Sequence, residues 1–157
     1  MLTLGRHYQP AELLPQRPPM LLLDDIDDYG KEWLRAVVRI HSGSVFFTPS
    51  AGVPTYAGIE YMAQTASAHG GLECAQRGVA PPIALLLGCR EYRCARTHFG
   101  AGMQLRIEAH RLLRDESDFV AYECSIWGDG EPLARSILKA VRPHNLASVI
   151  QSQWHDS

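Results

Sequence analysis

TYAGIEYMAQTASAHGGLECAQR, residues 55–77, is the stretch on which the reading of the fold turns. Ile59, Met62, Ala63, Ala66 and Gly70 recur at spacings of three and four, which puts them on one face of an α-helix. Pro54, just ahead of it, suits a helix's first turn, where a fixed φ and a missing N–H do no harm. The apolar face is also small, so the helix can lie close against a packed surface over its whole length, which predicts a buried helix. From Tyr56 through Leu72 the only acidic residue is Glu60. A carboxylate in such a segment either points to water or sits in a partly desolvated pocket. Tyr56 and Gln64 lie one turn to either side of Glu60, and the three form a polar stripe along one helix edge that could line a cleft.

The flanking sequence reads as strands. Met20–Leu23 is an apolar run stopped by the acidic cluster Asp24, Asp25, Asp27 and Asp28 and by Gly30. Trp33–Ile40 alternates Leu34, Ala36, Val38 and Ile40 with a face carrying Arg35 and Arg39, the period of a half-buried strand. Beyond Gly78 and Pro81-Pro82, four more strands are expected at Ile83–Cys89, Met103–Leu113, Phe119–Trp127 and Leu133–Val141. In the second of these, Met103, Leu105, Ile107 and Ala109 alternate with Gln104, Arg106, Glu108 and His110, so one face is wet. Gly128-Asp129-Gly130 supplies the positive φ of a tight hairpin between the last two. Strands, one long helix, then a run of antiparallel strands predict an α+β fold with a single helix against one curved sheet.

Composition narrows the function. The chain has 157 residues, 46% hydrophobic and 20% charged, with a formal net charge of −2, which fits one domain over residues 1–157. The core is expected over about residues 11–143, followed by a polar tail at residues 144–157. With 15 basic against 17 acidic residues there is no bulk field for a nucleic-acid partner. Thirteen of the 15 basic residues are arginines, which a G- and C-rich coding sequence explains more simply than an acidic ligand does. No apolar run is long enough to span a bilayer, and the first ten residues lack a signal-peptide pattern, so a cytoplasmic protein is expected. Cys74, Cys89, Cys94 and Cys124 form no C-x-x-C pair, and buried free thiols are the expectation. No phosphate loop, G-x-S-x-G elbow or metal-ligand set is visible, so neither a metal nor a cofactor is expected.

Leu14-Pro15-Gln16-Arg17-Pro18-Pro19-Met20-Leu21-Leu22-Leu23-Asp24 resembles the L-P-H-R-x-P-x-L-L-hydrophobic-D opening of β-hydroxyacyl-acyl-carrier-protein dehydratases of the hotdog fold. Ile59-Glu60-Tyr61-Met62-Ala63-Gln64 looks like the helix segment I-E-x-M-A-Q of that family, and residues 93–105 are similar to its entry into the next long strand. The resemblance implies a dimer in which two helices are wrapped by a continuous sheet, with acyl tunnels at the interface. It also implies that a helix glutamate from one subunit meets a loop histidine from the other. Glu60 matches the glutamate, and Gln64 matches a site-lining glutamine. The histidine does not carry over, because counting back from Glu60 the family's F-P-G-H-P-V-M-P falls on residues 47–54 and puts Ser50 in its place, followed by Gly52. A serine hydroxyl is far too weak a base near neutral pH to replace an imidazole. His41 and His98 are the candidate substitutes; His69 faces away from Glu60 along the helix.

Retained glutamate, retained M-A-Q and missing histidine resemble a subgroup associated with aryl polyene pathways, whose members are thought to pair with a histidine-bearing hotdog subunit. The first expectation is therefore a 3-hydroxyacyl-acyl-carrier-protein dehydratase of fatty acid or polyene biosynthesis with Glu60 as the acid, acting as a homodimer or a heterodimer. The alternatives are a catalytically silent subunit that stabilises an active dehydratase, and an acyl thioesterase in which Glu60 activates water. Arg90, Arg93 and Arg96 form a candidate docking patch for an acidic carrier protein, although in an extended segment 90 and 96 face opposite to 93.

Overall fold

The protein is described by a computed structural model that covers residues 6–80 and 84–141. The Pro81-Pro82 break and the polar tail lie outside the described residues. The chain runs through helix α1 (Pro10–Leu13), strands β1 (Asp25–Tyr29), β2 (Trp33–Arg39) and β3 (Val53–Pro54), then helix α2 (Ala57–Gln76). Strands β4 (Leu85–Cys94), β5 (His98–Phe99), β6 (Gln104–Arg114), β7 (Phe119–Gly128) and β8 (Glu131–Val141) follow. Six strands form one sheet in the order β1-β2-β6-β7-β8-β4, every neighbour antiparallel, and β3 pairs with β5. Helix α2 packs on one face of the large sheet.

Alternation decides which side of each strand faces the helix. Leu34, Ala36 and Val38 of β2, Leu105, Ile107 and Ala109 of β6, and Val120, Tyr122, Cys124 and Ile126 of β7 all point into the core. The opposite face is charged: Arg35 lies across from Glu108 in the β2–β6 register and bonds it at 3.4 Å, and its Nε donates to Asp27 at 2.6 Å. The β7–β8 hairpin turns through Asp129 and Gly130 at φ 53° and 75°, the primed geometry that suits the twist of paired strands.

Helix α2 is buried on most of its circumference, including Met62, Leu72 and the polar Gln64, Thr65 and His69. Burying a side chain such as Met62 or Leu72 stabilises by about 1.5–3 kcal/mol. The polar ones are hydrogen-bonded: Thr65 Oγ1 donates to the Tyr61 carbonyl at 2.7 Å. His69 Nε2 lies 2.9 Å from the Lys31 carbonyl, which can only accept, so that nitrogen carries the proton. In that tautomer His69 Nδ1 accepts a hydrogen bond from the Tyr122 hydroxyl at 2.7 Å. Small residues permit the close packing. A Cβ on Gly71 would stand 1.8 Å from the Leu13 carbonyl oxygen, so α1 rests directly on the backbone of α2.

Several expectations need correction. The first strand is Asp25–Tyr29, not Met20–Leu23. The acidic cluster does not end a strand but forms the outer face of one, since Ile26 points inward and Asp27 meets Arg35. Around Leu22 the backbone bonds a helix side chain rather than a neighbouring strand. Pro54 lies in β3, three residues before α2, and not in the helix's first turn. Ile59 and Ala63 are only part-buried. Cys74 and Cys124 are buried as expected, but Cys89 is exposed and Cys94 is intermediate.

Strand β4 is an edge that pairs only with β8 among the described strands. Leu86 and Leu87 are 44% and 53% exposed on it. An open edge carrying exposed leucines is a template for pairing with another chain.

Candidate functional site

The first two turns of α2 place Glu60 and Gln64 one above the other. Gln64 is 1% exposed and its amide is fully used. Its Nε2 donates to the Met20 carbonyl at 2.8 Å and to Glu60 Oε1 at 3.1 Å, while its Oε1 accepts from Leu22 N–H at 2.9 Å. One side chain thus ties the residues 20–22 segment to the helix and fixes the Glu60 carboxylate. Gln64→Leu leaves the Leu22 N–H and Met20 C=O unpaired. It is expected to destabilise the fold by about 2 kcal/mol, read as a lower denaturant midpoint at unchanged slope.

Glu60 is exposed in the single chain but borders a cavity of about 120 Å³. The helix wall is Glu60, Ala63, Gln64 and Ser67, and the sheet wall includes Val120, Tyr122, Leu138 and Ala140. Gln16, from the segment after α1, completes the polar end. Glu60 is the only acidic or basic side chain among the described residues that line it. The phenol of Tyr61, under the same helix turn, is pushed up to about 12 by burial, with the Asp24 charge adding. Tyr92 is likewise raised by burial, and its hydroxyl donates to the Thr55 carbonyl. Burial raises the Cys124 thiol. Burial thus disfavours the charged form of all three groups.

Ser50 sits exposed at the tip of a tight turn. Thr48 N–H donates to the Gly52 carbonyl at 2.8 Å, and Gly52 N–H donates back to Thr48 at 2.9 Å. Gly52 has φ 103°, and a Cβ there would meet the Phe99 carbonyl oxygen at 2.2 Å, so the position admits only glycine. The turn leads into β3, which pairs Val53 with Phe99 and Pro54 with His98. Tyr56, the residue before α2, does not join the Glu60 cavity; it is 62% exposed, with its ring 6.1 Å from that of Phe46.

Neither candidate histidine lines the cavity. His41 Nδ1 accepts from Gly43 N–H at 3.0 Å and borders a separate cleft with Asp24 and Tyr61. His98 Nδ1 lies 3.2 Å from Thr97 Oγ1 in the β3–β5 ladder. The arginines regroup, because a bulge between Arg90 and Arg93, with Glu91 at φ 51°, breaks the expected alternation. Arg90 and Arg93 border one groove with Arg135, whereas Arg96 lies beyond β4 and pairs with Asp129 at 3.1 Å. No group of His, Cys, Asp or Glu among the described residues could hold a metal, and no described helix is long and apolar enough to cross a membrane.

The residue that sequence reading passed over is Gln16. Its signal was the one polar exchange in the opening motif, glutamine where the family pattern has histidine.

Comparisons with known proteins agree with this geometry. The chain is similar to a subunit of the dehydratase heterocomplex ApeI:P from Xenorhabdus doucetiae, with 28% identity, a TM-score of 0.84, and coverage of 93% of this chain and 97% of that one. It shares its fold with Cj0977, a sigma28-regulated virulence protein from Campylobacter jejuni, at 14% identity and a TM-score of 0.66 over 87% and 96% of the two chains. It also shares it with the E. coli PaaI protein, at 17% identity and a TM-score of 0.53 over 75% and 82%. No curated protein matches the chain. Residues 8–151 match the ApeP-like family, described as ApeP dehydratase. With its six-stranded antiparallel sheet packed on one long helix, this hotdog-fold chain belongs to the ApeP-like dehydratase family.

Proposed function

We propose that the chain is one subunit of a 3-hydroxyacyl-acyl-carrier-protein dehydratase, in which Glu60 is the acid and a second hotdog subunit supplies the histidine base. The supporting observation is the cavity: one carboxylate, held by Gln64, at the mouth of an otherwise uncharged slot. Its volume of about 120 Å³ is well below the several hundred Å³ usual for ligand pockets, which supports a second subunit that walls the rest. Strand β4, with its exposed leucines, is the edge offered for a shared sheet.

The elimination divides as follows. The histidine takes the α proton, the electron pair of that C–H bond becomes the new C=C bond, and the C–O pair leaves with the hydroxyl as Glu60 protonates it to water. The thioester oxygen, which gains charge as the α proton departs, lies towards the amino end of α2, where the helix dipole favours it. Arg90, with Arg93 and Arg135, outnumbers Glu91 in a groove that offers an acidic carrier protein a net positive surface, although Arg135 also pairs with Glu123 at 2.8 Å.

Since each site takes its helix from one subunit and its loop from the other, a heterodimer has two unlike sites. One joins Glu60 to the partner's histidine; the other faces Ser50 and lacks a base. The complex with a histidine-bearing hotdog subunit is expected to dehydrate a 3-hydroxyacyl thioester, while this chain alone is at least about 100-fold slower. Equal activity of the chain alone would refute the division of labour. A silent, stabilising role is the second reading, favoured by the serine at the turn tip, and it predicts that the partner's rate ignores Glu60.

A further inference from the structure

Gln16 carries the inference. Its side-chain Oε1 is buried and finds no hydrogen-bond donor among the described residues, and its side chain borders the same cavity as Glu60. Buried acceptors are normally paired, because stripping water from an amide oxygen without replacing its hydrogen bond is costly. The segment that holds it has no freedom to swing out. Leu13 and Leu14 are fully buried just before it, Arg17 Nη1 donates to the carbonyls of Leu14 and Gln16 at 2.8 and 2.7 Å, and Gln64 fastens Met20 and Leu22 to the helix. An unpaired acceptor held rigidly beside the candidate acid is a docking point for a donor on the substrate.

We infer that Gln16 binds the substrate's 3-hydroxyl group by accepting its O–H proton in a hydrogen bond, and so selects the hydroxylated thioester over acyl chains that lack that group. This rests on the dehydratase reading of the Glu60 cavity. Gln16 shares the cavity with Glu60, and at the reacting carbons there is one donor: a thioester carbonyl can only accept, whereas the 3-hydroxyl carries an O–H. With its hydrogen turned to Gln16, the hydroxyl oxygen keeps its lone pairs free, and one of them can take the proton from Glu60. Gln16 then turns the leaving group towards the acid without itself exchanging a proton.

The test compares binding of a 3-hydroxyacyl pantetheine thioester with that of the saturated acyl thioester of equal length. It uses calorimetry on the wild-type chain and on Gln16→Met, which keeps the length and removes the acceptor, each alone and paired with a hotdog subunit whose histidine is replaced by alanine so that the thioester is not turned over. Wild type is expected to prefer the hydroxylated thioester by about tenfold, the effect of one hydrogen bond to a buried group, and Gln16→Met to lose that preference while holding the saturated thioester unchanged. Ligand-free Gln16→Met is also expected to melt about 2–4 °C higher, since an unpaired buried acceptor has been removed. Equal wild-type affinity for both thioesters, equal loss of both in the variant, or a lower melting temperature would overturn the assignment. Failure of wild type to bind either thioester, alone or so paired, would instead bring down the acyl-cavity reading, and the assignment with it.

Discussion

Glu60→Gln is expected to lower dehydration by the heterodimer about 10²–10⁴-fold, the usual contribution of a positioned general acid. The amide keeps the size of the carboxyl group, and its oxygen can still accept from Gln64, so the site's shape is preserved while the transferable proton is lost. Because the side chain is exposed in the single chain, little stability should change with it. In the heterodimer proposed above, only one of the two interfacial sites would join this carboxylate to a histidine, so no second intact site would supply residual rate. Steady-state turnover of a 3-hydroxyacyl thioester, with a melting curve to confirm folding, is the measurement. An unchanged rate in every assembly would remove Glu60 from the chemistry.

The largest effect on stability is expected from Gly71→Ala. Helix propensity alone predicts that this change stabilises by about 1 kcal/mol. The packing predicts the opposite sign, because the new Cβ would stand 1.8 Å from the Leu13 carbonyl oxygen and 2.7 Å from its carbon. That obstruction is backbone, and Leu13 and Leu14 are both fully buried, so α1 cannot move aside without uncovering core. A loss of about 3 kcal/mol follows, which lowers the melting midpoint by about 6–12 °C for a chain of this size. A raised midpoint would show that α1 does not rest on α2 as described.

Much of this arrangement could be read before any coordinates. The spacing of Met62, Ala66 and Gly70 gave the helix its place, and the alternation around Ile107 and Val38 gave the sheet its inner face, because both patterns are local. The β7–β8 turn was equally plain, its glycine and aspartate being required by positive φ. Strand β1 was hidden because its acidic residues look like a stop until Arg35 and Arg106 are seen beside Asp27. Gln64 reads as a polar helix residue; its bonds to Met20 and Leu22 join positions more than forty residues away, a closure no local pattern announces. The bulge at Glu91 reversed the side expected for Arg93, since an extra residue in one strand shifts every later side chain to the opposite face.

The margin of β4, which no other described strand covers, carries a consequence for production in the cell. Its exposed leucines and its edge, unpaired among the described strands, do not discriminate strongly between a proper companion and an identical neighbour. Surplus copies should therefore self-associate or precipitate, and, if the proposed second subunit covers this edge, matched synthesis of the two should set the yield of usable complex.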